Sequence, residues 1–574
     1  MKDMAQKKEE NLSKEKLLAE VERLKRELKR RKKYGLVWEE KPEDVVEICK
    51  KSLPVLKEIK NKAIITDKNM PVNLLIEGDN YHALSVLNYT HAKKVDIIYI
   101  DPPYNTGKKD EFKFNDQWID ENDSYRHSKW LSFMEKRLQL AKSLMKDSGI
   151  IFISIDDNEL TQLKLLMDDI FDGNFIALFI HKNNSSKNQA NLVSVSTEYL
   201  VLFKRTKDAL KGKEWRIFKK GAKDIARMYE RLKTKGLSLE EIEDQIKEMY
   251  SRPKYMHLGR WNKVDDRGVF VDADLSREGG SKDYTIINPD TKKPCVIPDR
   301  GWGKSYEELL RLQKENLIWY GDKSTPPRMK VYITDENYMV PDSLLYFDNS
   351  IDTRMIKNMF GGLVFENPKP LELIKTIISM SSNKNAIILD FMAGSGTTGH
   401  AVLDLNKEDG GSRQFILCTN NENNICTDVC YPRIQKVIQG YINIKKQKIE
   451  GLGGNVKYFK TDFVDSEPTD KNKKKLTAQA TEMLCIREGT FEQVMEKRNF
   501  KIFKNNHHYT GIIFDQLAIL DFKKAIKDMK HKFSVYIFSL GDDTFDEEFE
   551  DIKQKVKLSP IPEAILRVYR RIFR

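Results

Sequence analysis

Two apolar runs, each ending in a short loop rich in turn residues, constrain this chain most. The first is Val95-Asp96-Ile97-Ile98-Tyr99-Ile100, followed by Asp101-Pro102-Pro103-Tyr104. The second is Ala386-Ile387-Ile388-Leu389, followed by Asp390-Phe391-Met392-Ala393-Gly394-Ser395-Gly396-Thr397-Thr398-Gly399. Short continuous apolar runs bounded by turn signals read as strands buried on both faces. Such strands occur in parallel sheets covered by helices.

The surrounding rhythm agrees. A strand at 73–77 ends in Gly78-Asp79-Asn80, and a helix follows over about 81–90. After the 95–100 strand, residues 106–128 read as a polar, aromatic-rich loop. A helix from about Trp130 to Lys146 leads to a strand over 150–155, a helix over 159–171, and strands at 175–181 and 199–204. Strands alternating with helices predict an α/β fold with a doubly wound, Rossmann-like sheet. Residues 205–350 break the rhythm with charged helical stretches and turn signals, which predicts an insert. The α/β pattern returns with a helix over 371–380 and the 386–389 strand, then a helix over about 397–407 and a strand over 414–418. From about 455 a further small α/β domain is expected. The expected division is 1–60 (helical), 61–204, 205–350 (insert), 351–455 and 456–574. Residues 14–33 read as one amphipathic helix, with Leu17, Val21, Leu24 and Leu28 on a narrow seam and a basic run from Arg23 to Lys33.

Composition narrows the function class. A chain of 574 residues holds more than one domain. Its net charge of +12 favours a polyanionic partner such as nucleic acid. No stretch approaches the apolar length of a membrane helix. The charged run after Met1-Lys2-Asp3-Met4 predicts no secretory signal. The six cysteines are scattered, with Cys426 and Cys430 the only close pair, which predicts reduced thiols, no metal site and a cytoplasmic location.

The loops carry the chemistry. Gly394-Ser395-Gly396-Thr397-Thr398-Gly399 fits G-x-G-x-x-G, where glycines permit close backbone approach and the next helix offers free N–H groups. Alone it fits a dinucleotide site or a tight strand–helix turn. The preceding Asp390-Phe391 sharpens it towards a cofactor with an amino-acid tail. The loop amides and the Thr397 and Thr398 hydroxyls can take a carboxylate, and Asp390 can take an ammonium. Asn421 or Glu422, after the 414–418 strand, can meet ribose hydroxyls. The absence of a Walker A lysine disfavours triphosphate hydrolysis.

An exocyclic aromatic amine is a poor nucleophile, because its lone pair is delocalised into the ring. Two acceptors on its hydrogens would favour the tetrahedral nitrogen that attack requires. Asp101 offers a carboxylate, and the Pro102 carbonyl, in a turn locked by Pro102 and Pro103, offers the second acceptor. Tyr104 can stack on the base. A base in a duplex reaches such a pocket only by flipping.

On these motifs the chain resembles the β-group DNA amino-methyltransferases, and within them the modification (Mod) subunits of type III restriction–modification systems. The resemblance extends over Leu75–Asn80, Tyr99–Gly107, Ser124–Trp130, Phe152–Asp157, Phe365–Pro370, Asp390–Gly399 and Thr419–Asn424, and takes in Pro560–Leu566. It implies S-adenosyl-L-methionine as methyl donor and N6 of adenine in double-stranded DNA as acceptor. It also implies cofactor contacts from Asp79 and its neighbour Asn80 and from the Lys369-Pro370 region, and a target-recognition domain at about 205–350. A homodimer and a restriction subunit carrying helicase and nuclease are the implied partners. Cytosine-N4 methylation is the alternative chemistry. Members of that class more often carry Ser where this chain has Asp101. A DNA-recognition scaffold without activity is the non-enzymatic alternative. In the insert, Arg260-Trp261-Asn262-Lys263 and Trp302 with Lys304 mix basic and aromatic groups suited to phosphates and base edges, and suited equally to structural loops.

Overall fold

The computed structural model describes residues 38–107, 125–183, 193–219, 221–252, 254–321, 325–334, 338–543 and 545–573. The helix expected over 14–33 lies outside them, as does most of the loop expected over 106–128.

Ten strands form the central sheet. In chain order they are β1 (Ser52–Glu58), β2 (Val72–Glu77), β3 (Val95–Ile100), β4 (Met145–Ile155), β5 (Phe175–Lys182), β6 (Thr197–Lys204), β7 (Leu344–Tyr346), β8 (Ile387–Asp390), β9 (Gln414–Thr419) and β10 (Asn455–Asp465). Their spatial order is β1-β10-β2-β9-β8-β3-β4-β6-β5-β7. The stretch from β10 to β4 is parallel throughout. β1 and β6 run antiparallel to their neighbours. The sheet is therefore a parallel doubly wound core with antiparallel additions on both sides.

Period-2 alternation along the strands divides the core between two faces. Ile98, Ile100 and Leu389 pack with Leu84, Met134 and Leu138. Ile97, Tyr99 and Ile388 pack with Ile374, Ile378, Ala401 and Ile434. Helices Asn80–Thr90 and Arg126–Leu144 cover the first face; Leu371–Ser381, Thr397–Asp409 and Tyr431–Gln439 cover the second. Each large apolar side chain buried in this way contributes roughly 1.5–3 kcal/mol.

From β3 the chain crosses to β4 on one side, and from β8 it crosses to β9 on the other. β3 and β8 are neighbours, with Ile97 opposite Ile388 and Ile98 opposite Leu389. The crevice at their carboxyl ends is a topological switch point, where open α/β sheets place ligands.

Three segments differ from the expected division. β1 pairs with β10 over its full length, so the region before residue 60 contributes an edge strand as well as helix. β7 pairs in parallel with β5, which returns the chain to the main sheet before residue 350. β10 lies between β1 and β2, so the C-terminal unit starts after it. In each case a pairing partner distant in sequence decides, and local periodicity carries no record of it.

The insert has its own cores, one around Ile225, Tyr229, Ile242 and Ile246 and another around Trp302, Leu309 and Leu312. Its entry strand, Ile217–Phe218, pairs antiparallel with its exit strand, Tyr338–Met339. The C-terminal unit is a five-stranded sheet running in chain order from Glu492–Glu496 to Val556–Ile561. It shares the Leu84 face of the main core through Ile512, Tyr536, Ile565 and Tyr569. All six cysteines are free. Among the described residues no helix is long and apolar enough to cross a membrane.

Candidate active site

β3 and β8 bring Asp101 and Asp390, about 290 positions apart in the chain, to adjoining strand ends. The Asp101 charge adds to the rise of the Asp390 carboxyl. The two loops therefore line one crevice.

Around Asp101 a cluster of four polar side chains forms. Tyr104 donates its hydroxyl to Oδ1 of Asp101 at 2.9 Å and stands 3.3 Å from Oε2 of Glu198. Lys369 lies between the carboxylates, with Nζ 3.2 Å from Asp101 Oδ1 and 2.5 Å from Glu198 Oε2. The Lys369 ammonium also contacts the Tyr104 hydroxyl and lies over its ring, 4.7 Å from the centroid. Burial raises the Asp101 carboxyl above its usual range; Lys369 opposes that rise, and Glu198 adds to it. Although burial disfavours its charge, Glu198 is held below its usual range by Lys369. The two carboxylates hold Lys369 protonated against burial. The Asp101 side chain is still 27% exposed, so a ligand can reach it.

The turn is anchored from behind. Trp130 Nε1 donates to the Pro103 carbonyl at 2.7 Å, which uses that acceptor and orients the Pro102–Tyr104 segment. Asn105 takes a left-handed conformation (φ 58°) and bonds to buried Glu159, which also meets His127 Nδ1 at 2.7 Å.

The second loop is built on glycines. Gly394 (φ 51°) and Gly396 (φ 79°) are left-handed. A Cβ on Gly396 would lie 3.1 Å from Cys430 Sγ, so both conformation and space favour glycine. Asp390 is 3% exposed and accepts from the Thr398 hydroxyl at 2.5 Å and the Met392 amide at 3.0 Å. Burial outweighs these bonds and pushes its carboxyl up to about 7. The Phe391 side chain is fully buried in the core, so only its backbone can face the crevice.

Of the two hydroxyls read as ligand donors, that of Thr398 is spent and that of Thr397 is held in place as an acceptor. Thr398 serves Asp390, while Thr397 Oγ1 accepts from Arg433 Nη1 at 2.8 Å. Arg433 is fully buried and also bonds Ser395 Oγ at 2.9 Å. It was not legible as a site residue, because a single arginine on an amphipathic helix reads as surface.

At the end of β2, Asp79 caps the following helix by accepting from the Tyr81 amide at 2.7 Å. Asn80 Oδ1 accepts from Arg137 Nε at 2.5 Å, and Arg137 in turn pairs with Glu43. Beyond β9, Asn421 accepts from the Thr427 amide at 3.0 Å, and Glu422 is exposed. Thr419 Oγ1 and Asn420 Oδ1 are buried without a hydrogen-bond partner among the described residues. Unsatisfied buried polar atoms at a strand end mark where a ligand's donors fit. Pro370 precedes helix Leu371–Ser381 as its N-cap, directly after Lys369.

The tryptophans of the insert have another role. Trp261 is 3% exposed, and Trp302 is 2% exposed with its indole N–H on the Tyr284 carbonyl at 2.8 Å. Both are core residues and cannot read base edges. Arg260 and Lys263 remain, stacked over Trp261 and Trp319.

Comparison with known proteins gives the family. Residues 95–429 match the DNA methylase family, a span that starts at β3 and contains both loops. The chain is 34% identical to the type III restriction–modification enzyme StyLTI Mod subunit of Salmonella typhimurium, over 69% of this chain and 60% of that protein. It is 34% identical to the EcoP15I Mod subunit of Escherichia coli, over 60% of this chain and 58% of that one. The type II methyltransferase M.KpnI of Klebsiella pneumoniae is 30% identical over 68% of this chain and 93% of its own length. The chain thus spans about 60% of the length of the Mod subunits it matches. By the extent of the family match and by the relatives that share it, this chain belongs to the DNA methylase family.

Proposed function

We propose that this protein methylates the N6 amino group of a flipped adenine in double-stranded DNA, using S-adenosyl-L-methionine, as the modification subunit of a type III restriction–modification system. One observation carries the reading: Asp101 and Asp390 stand at the ends of neighbouring parallel strands at the switch point. An amine-activating carboxylate and a cofactor loop separated by about half of the chain thereby share one crevice.

The residues fit the donor. Asp390 would take its ammonium, the amides of the Gly394–Gly396 turn its carboxylate, and the open acceptors of Thr419 and Asn420 its hydroxyl and amine groups. Asp79, Asn421, Glu422 and the Lys369-Pro370 segment would complete its contacts. When bound, S-adenosylmethionine supplies an electrophilic sulfonium methyl and leaves as a neutral thioether.

Asp101 accepts one N–H of the base amine, and the Pro102 carbonyl accepts the other. These bonds favour a localised lone pair on nitrogen. As the new N–C bond forms, the nitrogen gives up a proton, and Asp101 takes it. Tyr104, held by its hydroxyl against Asp101 and Glu198, is the ring that would meet the base. The insert, with Arg260 and Lys263 outside its core, is the reading's target-recognition domain. A homodimer, a restriction subunit bearing the nuclease, and a cytoplasmic location complete the proposal, as the family resemblance implies.

Single-molecule sequencing of DNA from a methylation-free host expressing the protein tests this. N6-methyladenine on one strand of a short asymmetric motif is expected. N4-methylcytosine would move the activity to the other amino-methylating class. No modification from folded, cofactor-binding protein would leave a recognition scaffold.

A further inference from the structure

We propose that Glu198 is a positioning residue for methyl transfer, which draws the Lys369 ammonium away from Asp101 and so leaves the Asp101 carboxylate available to the target amine. This rests on the reading of Asp101 as the amine-activating group.

The geometry is asymmetric. Lys369 Nζ is 2.5 Å from Glu198 and 3.2 Å from Asp101. The ammonium is only 10% exposed and is held also by the Tyr104 hydroxyl. An ammonium beside Asp101 occupies the same kind of position as an incoming amine, a nitrogen whose hydrogens point at Oδ1. A second carboxylate is needed to keep that cation when the base arrives. Glu198 provides it from β6, the antiparallel neighbour of β4. With both carboxylates ionised and Lys369 protonated, the cluster carries one net negative charge. That charge suits a site that must receive a sulfonium and a proton.

The other groups around the pair do not supply this function. Tyr104 bridges Asp101 and Glu198, and Tyr99 turns its hydroxyl to Ser154 Oγ at 2.9 Å. Asp390 faces Asp101 from the next strand, and Asp156 lies near Glu198. His181, on β5 opposite Glu198, is held neutral by burial and bonded to the Phe347 carbonyl.

Glu198→Gln removes the competing charge while keeping the shape. Lys369 then pairs with Asp101 alone, and the Asp101 carboxyl falls. Methyl transfer to a duplex carrying the motif methylated in vivo should show kcat reduced at least tenfold. The acid limb of its pH profile should move down by about one unit. Binding of S-adenosylhomocysteine should be unchanged, and Glu198→Asp should recover part of kcat and of the limb position. An unmoved limb, unchanged kcat, or loss of cofactor binding along with turnover would each overturn the proposal, the last two by making Glu198 dispensable or merely structural. If Glu198→Gln is too slow to titrate, a wild-type limb in Glu198→Asp together with unrecovered kcat also overturns it. A wild-type protein inactive on every duplex would instead sink the reading of the site itself.

Discussion

The Thr398 hydroxyl donates to Oδ2 of Asp390 at 2.5 Å, from the first turn of the helix that follows the glycine loop. A buried carboxylate thereby carries a fixed donor on one oxygen and a backbone amide on the other. Even so, burial pushes Asp390 up to about 7. The ionised form has the charge that a cofactor ammonium needs. Cofactor affinity should therefore rise as pH rises to about 7 and level off above it, falling about tenfold per unit below. Binding at pH 6 should release a proton. Calorimetry with S-adenosylhomocysteine in two buffers of different ionisation enthalpy reads both effects, and an affinity flat from pH 6 to 8 would remove Asp390 from the role. Thr398→Val removes a hydrogen bond to the charged form, worth about 1.5–3 kcal/mol. It should weaken binding most at neutral pH and less at alkaline pH.

Asp101→Ala separates the two halves of the crevice. Asp101 lies outside the glycine loop, so cofactor binding should persist. Turnover should fall by at least about a hundredfold, the range for loss of a general base. Equilibrium binding and methyl incorporation into duplex DNA measure the two. Retained turnover would refute the assigned role.

The two loops were legible because each follows a strand buried on both faces, and because each chemistry needs specific residue types at fixed spacing. The parallel core was legible for the same reason. Glu198 was not. It sits in Thr197-Glu198-Tyr199, where alternation reads as an ordinary half-exposed strand. Only the antiparallel placement of β6 and the return of the chain at Lys369 bring it to Asp101. For Trp261 and Trp302 the sequence left a contact surface and a structural loop equally open, and burial in the insert's own cores decides for the second. The boundaries at 60, 350 and 455 depend on β1, β7 and β10, whose partners lie far away in sequence.

Gly396→Ala tests the loop backbone. The residue is left-handed, and an added Cβ meets Cys430 Sγ at 3.1 Å. The conformation alone costs about 1–2 kcal/mol for an L-residue. The variant should melt at a lower temperature and bind S-adenosylhomocysteine more weakly than wild type. A melting point and affinity both equal to wild type would show that the turn tolerates a side chain.

Arg433 gives the last prediction. It lies fully buried beneath the loop, with Nη1 on Ser395 and Thr397 and Nη2 3.4 Å from His400 Nδ1. His400 is kept neutral by burial and by the guanidinium, so its Nδ1 can accept. The Asp352 carboxylate offsets the Arg433 charge only in part, and among the described residues the Arg433 Nε has no hydrogen-bond partner. Burial accordingly draws its pKa down to about 10. A buried charge with so little compensation is weak evidence of stabilisation. Its three polar partners all belong to the loop or the turn of helix that follows. Arg433→Met should therefore alter global stability little, since the lost bonds are offset by the lost desolvation cost. It should weaken cofactor binding about tenfold or more by releasing Ser395 and Thr397. Thermal melting and calorimetry on the same preparation separate the two. A large loss of stability with unchanged affinity in the folded fraction would make Arg433 a structural residue and not the anchor of the loop.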